Sequence, residues 1–91
     1  QHTYTPDFIL KKKDGSLMYV EAKGYFDSKT RSKMLFVKKC NPDLDIRMMF
    51  QHPKTKLKKG SKTSYGEWAD RHGFPWCGPV FPETWVEELA E

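Results

Sequence analysis

The sequence predicts an α/β domain in which a mixed β-sheet is flanked by helices, and three observations predict it. Tyr4 to Leu10 and Leu17 to Lys23 are dense in β-branched, aromatic and long apolar residues, and the Asp14-Gly15 pair between them suits a hairpin. A helix-like stretch runs from Asp27 or Ser28 to about Cys40. A third apolar run, Asp45 to Phe50, follows it, and a helix between strands implies a crossover connection beside the antiparallel hairpin.

Each element has a local reason. Gly24 releases the chain from the second strand, Asp27 or Ser28 caps the helix, and Asn41-Pro42 stops it. Met34 to Val37 form a broad apolar run, while Lys29, Arg31, Lys33, Lys38 and Lys39 must mostly face solvent or ligand. Asp45 to Phe50 is apolar enough on both faces to lie inside a sheet. His52 to Thr63 reads as a lysine-dense loop, and Ser64 with Glu67 has capping-box spacing for a short helix to His72, with Gly73 as its stop. Phe74 to Pro82, with three prolines and one glycine, reads as irregular. Pro82 then opens a final helix through about Ala90.

Length and composition bound the rest. The 91 residues, with six Phe, four Tyr and three Trp, suffice for one small core, so residues 1–91 are expected to form one domain. Such a core is marginal alone, and a partner subunit or further chain would help complete it. The chain opens on Gln1 directly into strand-like sequence, which suggests a fragment of a longer protein. Sixteen Lys plus Arg against 12 Asp plus Glu give a net charge of +4, and the bases gather centrally while acids gather at the C-terminal end. That asymmetry favours a polyanionic partner. Cys40 and Cys77 lie far apart without metal-ligand spacing, which argues against a disulfide framework and for a reducing, intracellular setting. No apolar run approaches the roughly 20 residues of a membrane span.

One group of residues carries chemistry. Glu21 and Lys23 are two apart on a strand and emerge on one face, and the hairpin register brings Asp7 of the preceding strand beside Glu21. Two acids and an ammonium converging in this way suit phosphodiester hydrolysis. Asp7 and Glu21 would hold a hard cation such as Mg²⁺, the Ala22 carbonyl would add a ligand, and Lys23 would orient the nucleophile and offset developing charge. Pro6 fixes its own φ and restrains Thr5, setting the direction of Asp7. The plain alternative makes Asp7 a strand start and Glu21 and Lys23 an exposed ion pair. The second Pro-Asp pair, Pro42-Asp43, has no acid-x-Lys to match it and reads as a helix stop and turn.

The run His2-Thr3-Tyr4-Thr5-Pro6-Asp7-Phe8, then Val20-Glu21-Ala22-Lys23-Gly24, Asn41 to Arg47, Thr55 to Ser61 and Thr63 to Glu67 resembles the phage endonuclease I family of Holliday-junction-resolving enzymes. The resemblance covers most of the chain. It implies a restriction-endonuclease-like fold of the PD-(D/E)xK class, dependence on Mg²⁺ or Mn²⁺, cleavage of branched DNA and action in the host cytoplasm. Asp7, Glu21 and Lys23 fall on the family's catalytic positions, and Ala22 falls where its backbone carbonyl binds metal. The family also carries a further catalytic glutamate on an upstream helix, exchanged between subunits of an intertwined homodimer. That helix is absent from this sequence, so low turnover is expected of these residues alone.

Lys54, Lys56, Lys58, Lys59 and Lys62 crowd one loop, where they would contact phosphates, and Lys29, Arg31 and Lys33 follow the active strand closely enough to join them. A solvated loop is the bland alternative. Trp68, Trp76 and Trp85 read as packing residues in preference to base-stacking platforms. Glu67 is explained by its capping box, and His2, His52 and His72 lack ligand spacing. The same scaffold would also serve a site-specific, homing-type endonuclease or a non-catalytic DNA-binding module.

Overall fold

The computed structural model describes residues 4–91; Gln1, His2 and Thr3 lie outside the described residues. The chain forms β1 (Phe8–Lys11), β2 (Leu17–Lys23), α1 (Ser28–Cys40), β3 (Asp45–Phe50), α2 (Tyr65–Arg71), β4 (Trp76–Cys77) and α3 (Glu83–Val86). The strands make one four-stranded sheet in the order β1-β2-β3-β4. β1 pairs antiparallel with β2, and β2 with β3 and β3 with β4 run parallel, so the sheet is mixed and α1 is the crossover.

The hairpin turn closes with the Lys12 N–H on the Ser16 carbonyl and the Gly15 N–H on the Lys12 carbonyl, at 2.8 and 3.0 Å. Gly15 sits at φ +89°, a conformation side chains resist, and this fixes the register Phe8↔Val20, Leu10↔Met18. Asp27 caps α1, accepting from the Thr30 N–H at 2.9 Å. Both halves of the Ser64–Glu67 capping box are present at α2, at 3.2 and 3.0 Å.

Alternation along the two central strands sorts the side chains. Tyr19, Glu21 and Lys23 of β2 share a face with Ile46, Met48 and Phe50 of β3, and α1 and α2 cover it. Phe26 is the centre of this core, with ring centroids 5.2 Å from Phe50, 5.6 Å from Tyr65 and 4.9 Å from Trp68. On the other face lie Met18, Val20, Arg47 and Met49, with Phe8 and Leu10 of β1, beneath the C-terminal segment. Arg47 is only 7% exposed. It pairs with Glu88 through two bonds of 2.7 and 2.8 Å and with Asp45 through two of 2.9 and 2.8 Å, while Lys12 adds a 2.7 Å bond to Asp45. The Trp85 ring lies over the guanidinium at 5.1 Å.

Three boundaries differ from the sequence expectation. β1 begins at Phe8, not Tyr4. The stretch from Phe74 to Pro82 contributes a two-residue parallel strand, because Pro75 still offers its carbonyl to the Met48 N–H at 2.8 Å and the prolines flank the paired residues. The last helix is a single turn, Glu83–Val86. Beyond it the backbone turns to the hairpin, where Lys13 N–H reaches the Glu88 carbonyl and Ala90 N–H the Lys11 carbonyl, at 2.8 and 2.9 Å. The tertiary pairing overrides the local helical preference.

Gly66 sits where a Cβ would come 2.7 Å from the Trp76 ring. Gly66→Ala is therefore expected to destabilise the fold by about 1–3 kcal/mol despite its better helix propensity, as measured by urea denaturation. The Arg47 hydrogen bonds hold the Asp45 and Glu88 carboxyls below their ordinary values of 3.8 and 4.5. Because the folded-state values are depressed, this stabilisation is fully present above about pH 4.5 and is lost as pH falls through them. Arg47→Met is expected to lose about 2 kcal/mol at neutral pH. Its deficit should shrink at pH 3, as read by denaturation at both pH values.

Candidate active site

The site lies at the carboxyl ends of β2 and β3, a usual place for ligands in sheets with parallel strands. Ala22, Lys23 and Gly24 line an open depression of about 380 Å³ there, together with Met49, Gln51 and Pro79. The Gln51 N–H donates to the Lys23 carbonyl at 3.0 Å. Lys23 thus faces β3 with its main chain, and Ala22, one residue earlier, faces the β1 side.

That side is where the hairpin pairing stops. The Lys12–Ser16 bond marks Ser16, Met18 and Val20 as the residues whose main chain addresses β1. Carrying the register two residues past Phe8↔Val20 sets Pro6 opposite Ala22. Proline has no N–H, so the next ladder bond has no donor and the Ala22 carbonyl gets no strand partner from β1. The Asp7 carboxylate takes the Ala22 N–H instead, its Oδ2 accepting at 2.9 Å. A main-chain carbonyl and an exposed carboxylate are left together at the end of the strand.

Glu21 departs most from the exposed-pair alternative. It is 2% exposed, and its Oε2 lies 3.4 Å from the Lys23 ammonium. Its Oε1 is shielded from solvent and has no hydrogen-bond partner. A buried carboxylate oxygen without a donor is costly in a folded protein, so it calls for a partner from the protein or from a ligand. Among the described residues no three His, Cys, Asp or Glu side chains gather at one point. A hard cation held here would therefore draw on two carboxylates and main-chain oxygen.

Sequence reasoning passed over Tyr4, although it belongs to the same run as Asp7. Its hydroxyl is buried beside Glu21. Burial first, then the Glu21 carboxylate and after it the Asp7 charge, hold the phenol well above its ordinary value, so it stays protonated. Gln51 was also missed; its only signal is its place directly after β3.

The basic residues separate into two groups. Lys29 and Lys33 line an open groove of about 580 Å³ along α1, and Tyr4, which lies beside Glu21, lines it too. Arg31 donates to the Phe26 carbonyl at 2.7 Å and so also serves the fold. Lys54, Lys56, Lys58, Lys59 and Lys62 are exposed on a loop that is itself folded, with Leu57 N–H on the Thr63 carbonyl and Tyr65 N–H on the Thr55 carbonyl, both at 2.9 Å. Among the described residues none of these loop lysines bonds to Asp7 or Glu21.

The remaining candidates have packing explanations. Trp68 is core, Trp76 donates to Asp70 at 2.9 Å and Trp85 covers Arg47. Hydrogen bonds from the Ser64 backbone and hydroxyl hold the Glu67 carboxyl low. His72 rests on Trp68, ring centroids 4.7 Å apart, and His52 is exposed. Cys40 and Cys77 are both free thiols. No helix among the described residues is long and apolar enough to cross a membrane.

If Pro6 is what stops the ladder, Pro6→Ala should let it run on. The amide proton introduced at position 6 is expected to be protected in hydrogen-exchange NMR, with stability changed by no more than about 1 kcal/mol. A freely exchanging amide would show that the pairing ends for another reason.

Comparison with known proteins follows this geometry. The family model described as Phage endonuclease I matches residues 1–91. The chain is 44% identical over 87 residues to a protein named Endonuclease I of Escherichia phage T7, covering 96% of this chain and 56% of that one. It is 42% identical over 87 residues to Endodeoxyribonuclease 1 of Enterobacteria phage T3, covering 96% and 55%. The chain thus spans a little over half the length of these relatives. With its whole length matched and the Pro6-Asp7 and Glu21-Ala22-Lys23 groups meeting at one strand end, the chain belongs to the phage endonuclease I family.

Proposed function

We propose that this chain is the core of a structure-selective DNA endonuclease that resolves Holliday junctions and other branched DNA. The observation that carries the reading is the meeting of Asp7, the Ala22 main chain, buried Glu21 and Lys23 at the end of β2. The names of the two phage relatives support the nuclease class.

Asp7, Glu21 and the Ala22 carbonyl would hold Mg²⁺ or Mn²⁺. The fit rests on oxygen-only donors, two carboxylates and a main-chain carbonyl without a strand partner. When bound, the ion supplies charge neutralisation at the phosphoryl group and a more acidic water. Lys23 stands beside Glu21, where its ammonium would orient the attacking water and offset charge on the phosphate oxygens. Lys29, Arg31 and Lys33 on α1 would grip the phosphate backbone near the site, and the lysines of residues 54–62 would grip it further off. Contacts of this kind respond to the shape of DNA more than to base identity. Two side-chain carboxylates are few for a hard cation, so we infer that a further acid is supplied within a homodimer.

The test compares a four-way junction with a linear duplex of the same sequence at fixed salt, using the chain in its full-length context. Faster cutting of the junction in Mg²⁺ or Mn²⁺ is expected. Glu21→Gln and Lys23→Ala should each lose roughly 100-fold or more in cleavage while still binding the junction. Cutting at one fixed duplex sequence would replace this reading with a site-specific endonuclease, and binding without scission would reduce it to a DNA-binding module.

A further inference from the structure

Two side-chain polar atoms among the described residues are shielded from solvent without a hydrogen-bond partner: the Tyr4 hydroxyl and Glu21 Oε1. Native proteins leave few such atoms, and these two are complementary, since a phenol donates and a carboxylate accepts. They are also neighbours, because Glu21 is the group that acts most strongly on the Tyr4 hydroxyl after burial itself. Both atoms are shielded from solvent and neither closes a hydrogen bond with another group.

The surroundings hold the pair in place. The Tyr4 ring meets Tyr19 edge-on, with centroids 6.1 Å apart and planes at 83°. Tyr19 lies two residues before Glu21 on the same face of β2, so strand alternation aligns the ring with the carboxylate. Lys23 stands 3.4 Å from the other carboxylate oxygen, Oε2. Glu21 is thus flanked by an ammonium at one oxygen and a phenol at the other, with the Asp7 charge within reach of the same phenol.

We propose that Tyr4 is a positioning residue whose hydroxyl donates to Glu21 Oε1 and fixes the orientation in which Glu21 presents its remaining lone pairs to a divalent cation. The proposal rests on the reading of Glu21 as a cation ligand. A carboxylate has about four acceptor sites, so a hydrogen bond and a cation can share it. Partners of this kind, behind a ligating group, are commonly worth 10- to 100-fold in metal affinity. The phenol suits the task because it keeps its proton beside a carboxylate and adds no second negative charge.

Tyr4→Phe removes the hydroxyl alone and keeps the ring against Tyr19. Two measurements on the full chain decide the matter: Mn²⁺ affinity by titration calorimetry, and the ¹³C chemical shift of the Glu21 carboxyl at one fixed neutral pH in metal-free protein. Tyr4→Phe is expected to weaken Mn²⁺ binding about 10- to 100-fold and to move the Glu21 carboxyl ¹³C shift at that pH, because a hydrogen bond to the carboxylate is lost. Tyr19→Phe, which keeps the edge-on ring, should leave both unchanged. An unaltered Glu21 carboxyl ¹³C shift in Tyr4→Phe overturns the proposal, even where the melting temperature falls. Wild-type protein that binds Mn²⁺ no better than Glu21→Gln would overturn the metal reading itself, and the metal-free resonance would still decide whether Tyr4 and Glu21 are paired.

Discussion

The antiparallel pairing of β1 with β2 determines where the chemically interesting groups of this chain sit, because Asp7 and Ala22 are defined by the point at which that pairing ends. A strand ladder normally consumes every main-chain donor and acceptor along it. Here proline lacks the N–H that one rung needs, and the carboxylate of the next residue accepts from the Ala22 N–H of the neighbouring strand. The consequence is a main-chain carbonyl and an acid displayed together beside a buried glutamate. The Pro-Asp dipeptide does this because its two residues differ in what they withhold and what they supply: the first lacks an N–H, and the second brings a short acceptor that reaches back to the neighbouring strand.

The opposite face of the sheet solves a separate problem. A guanidinium buried in a central strand would be expensive alone, and Asp45, Glu88 and Trp85 answer it with two forked ion pairs and a ring. Because Glu88 belongs to the C-terminal segment, neutralising Arg47 also docks that segment across β1 and β3. The two faces are therefore built differently: aromatic packing around Phe26 on one, charge pairing around Arg47 on the other.

What was legible in the sequence is what local chemistry decides. The Asp14-Gly15 turn, the Asp27 cap, the Asn41-Pro42 stop and the Ser64–Glu67 box each act within a few residues, and each element they bound is present. The meeting of Glu21 with Lys23 followed from strand alternation, and the place of Asp7 from register. What was illegible depends on contacts distant in sequence. Arg47 in an apolar run gives no sign of being buried until Glu88 arrives 41 residues later. The single-turn α3 is cut short by hydrogen bonds to the hairpin, and the edge strand at Trp76 depends on the main chain of β3. Burial of Glu21 and the nearness of Tyr4 are likewise products of packing, which a spacing rule cannot express.

The docking of the tail on the hairpin has a consequence for how the chain behaves among its own copies. β1 is an edge of the sheet, and an open edge is a template for strand addition and aggregation. The Lys13 and Lys11 main-chain groups near the turn are already occupied by Glu88 and Ala90, and Lys12 bridges to Leu89, so that end of the edge is capped from within the same molecule. A four-residue edge closed at one end leaves little length on which a fibril-like contact could start.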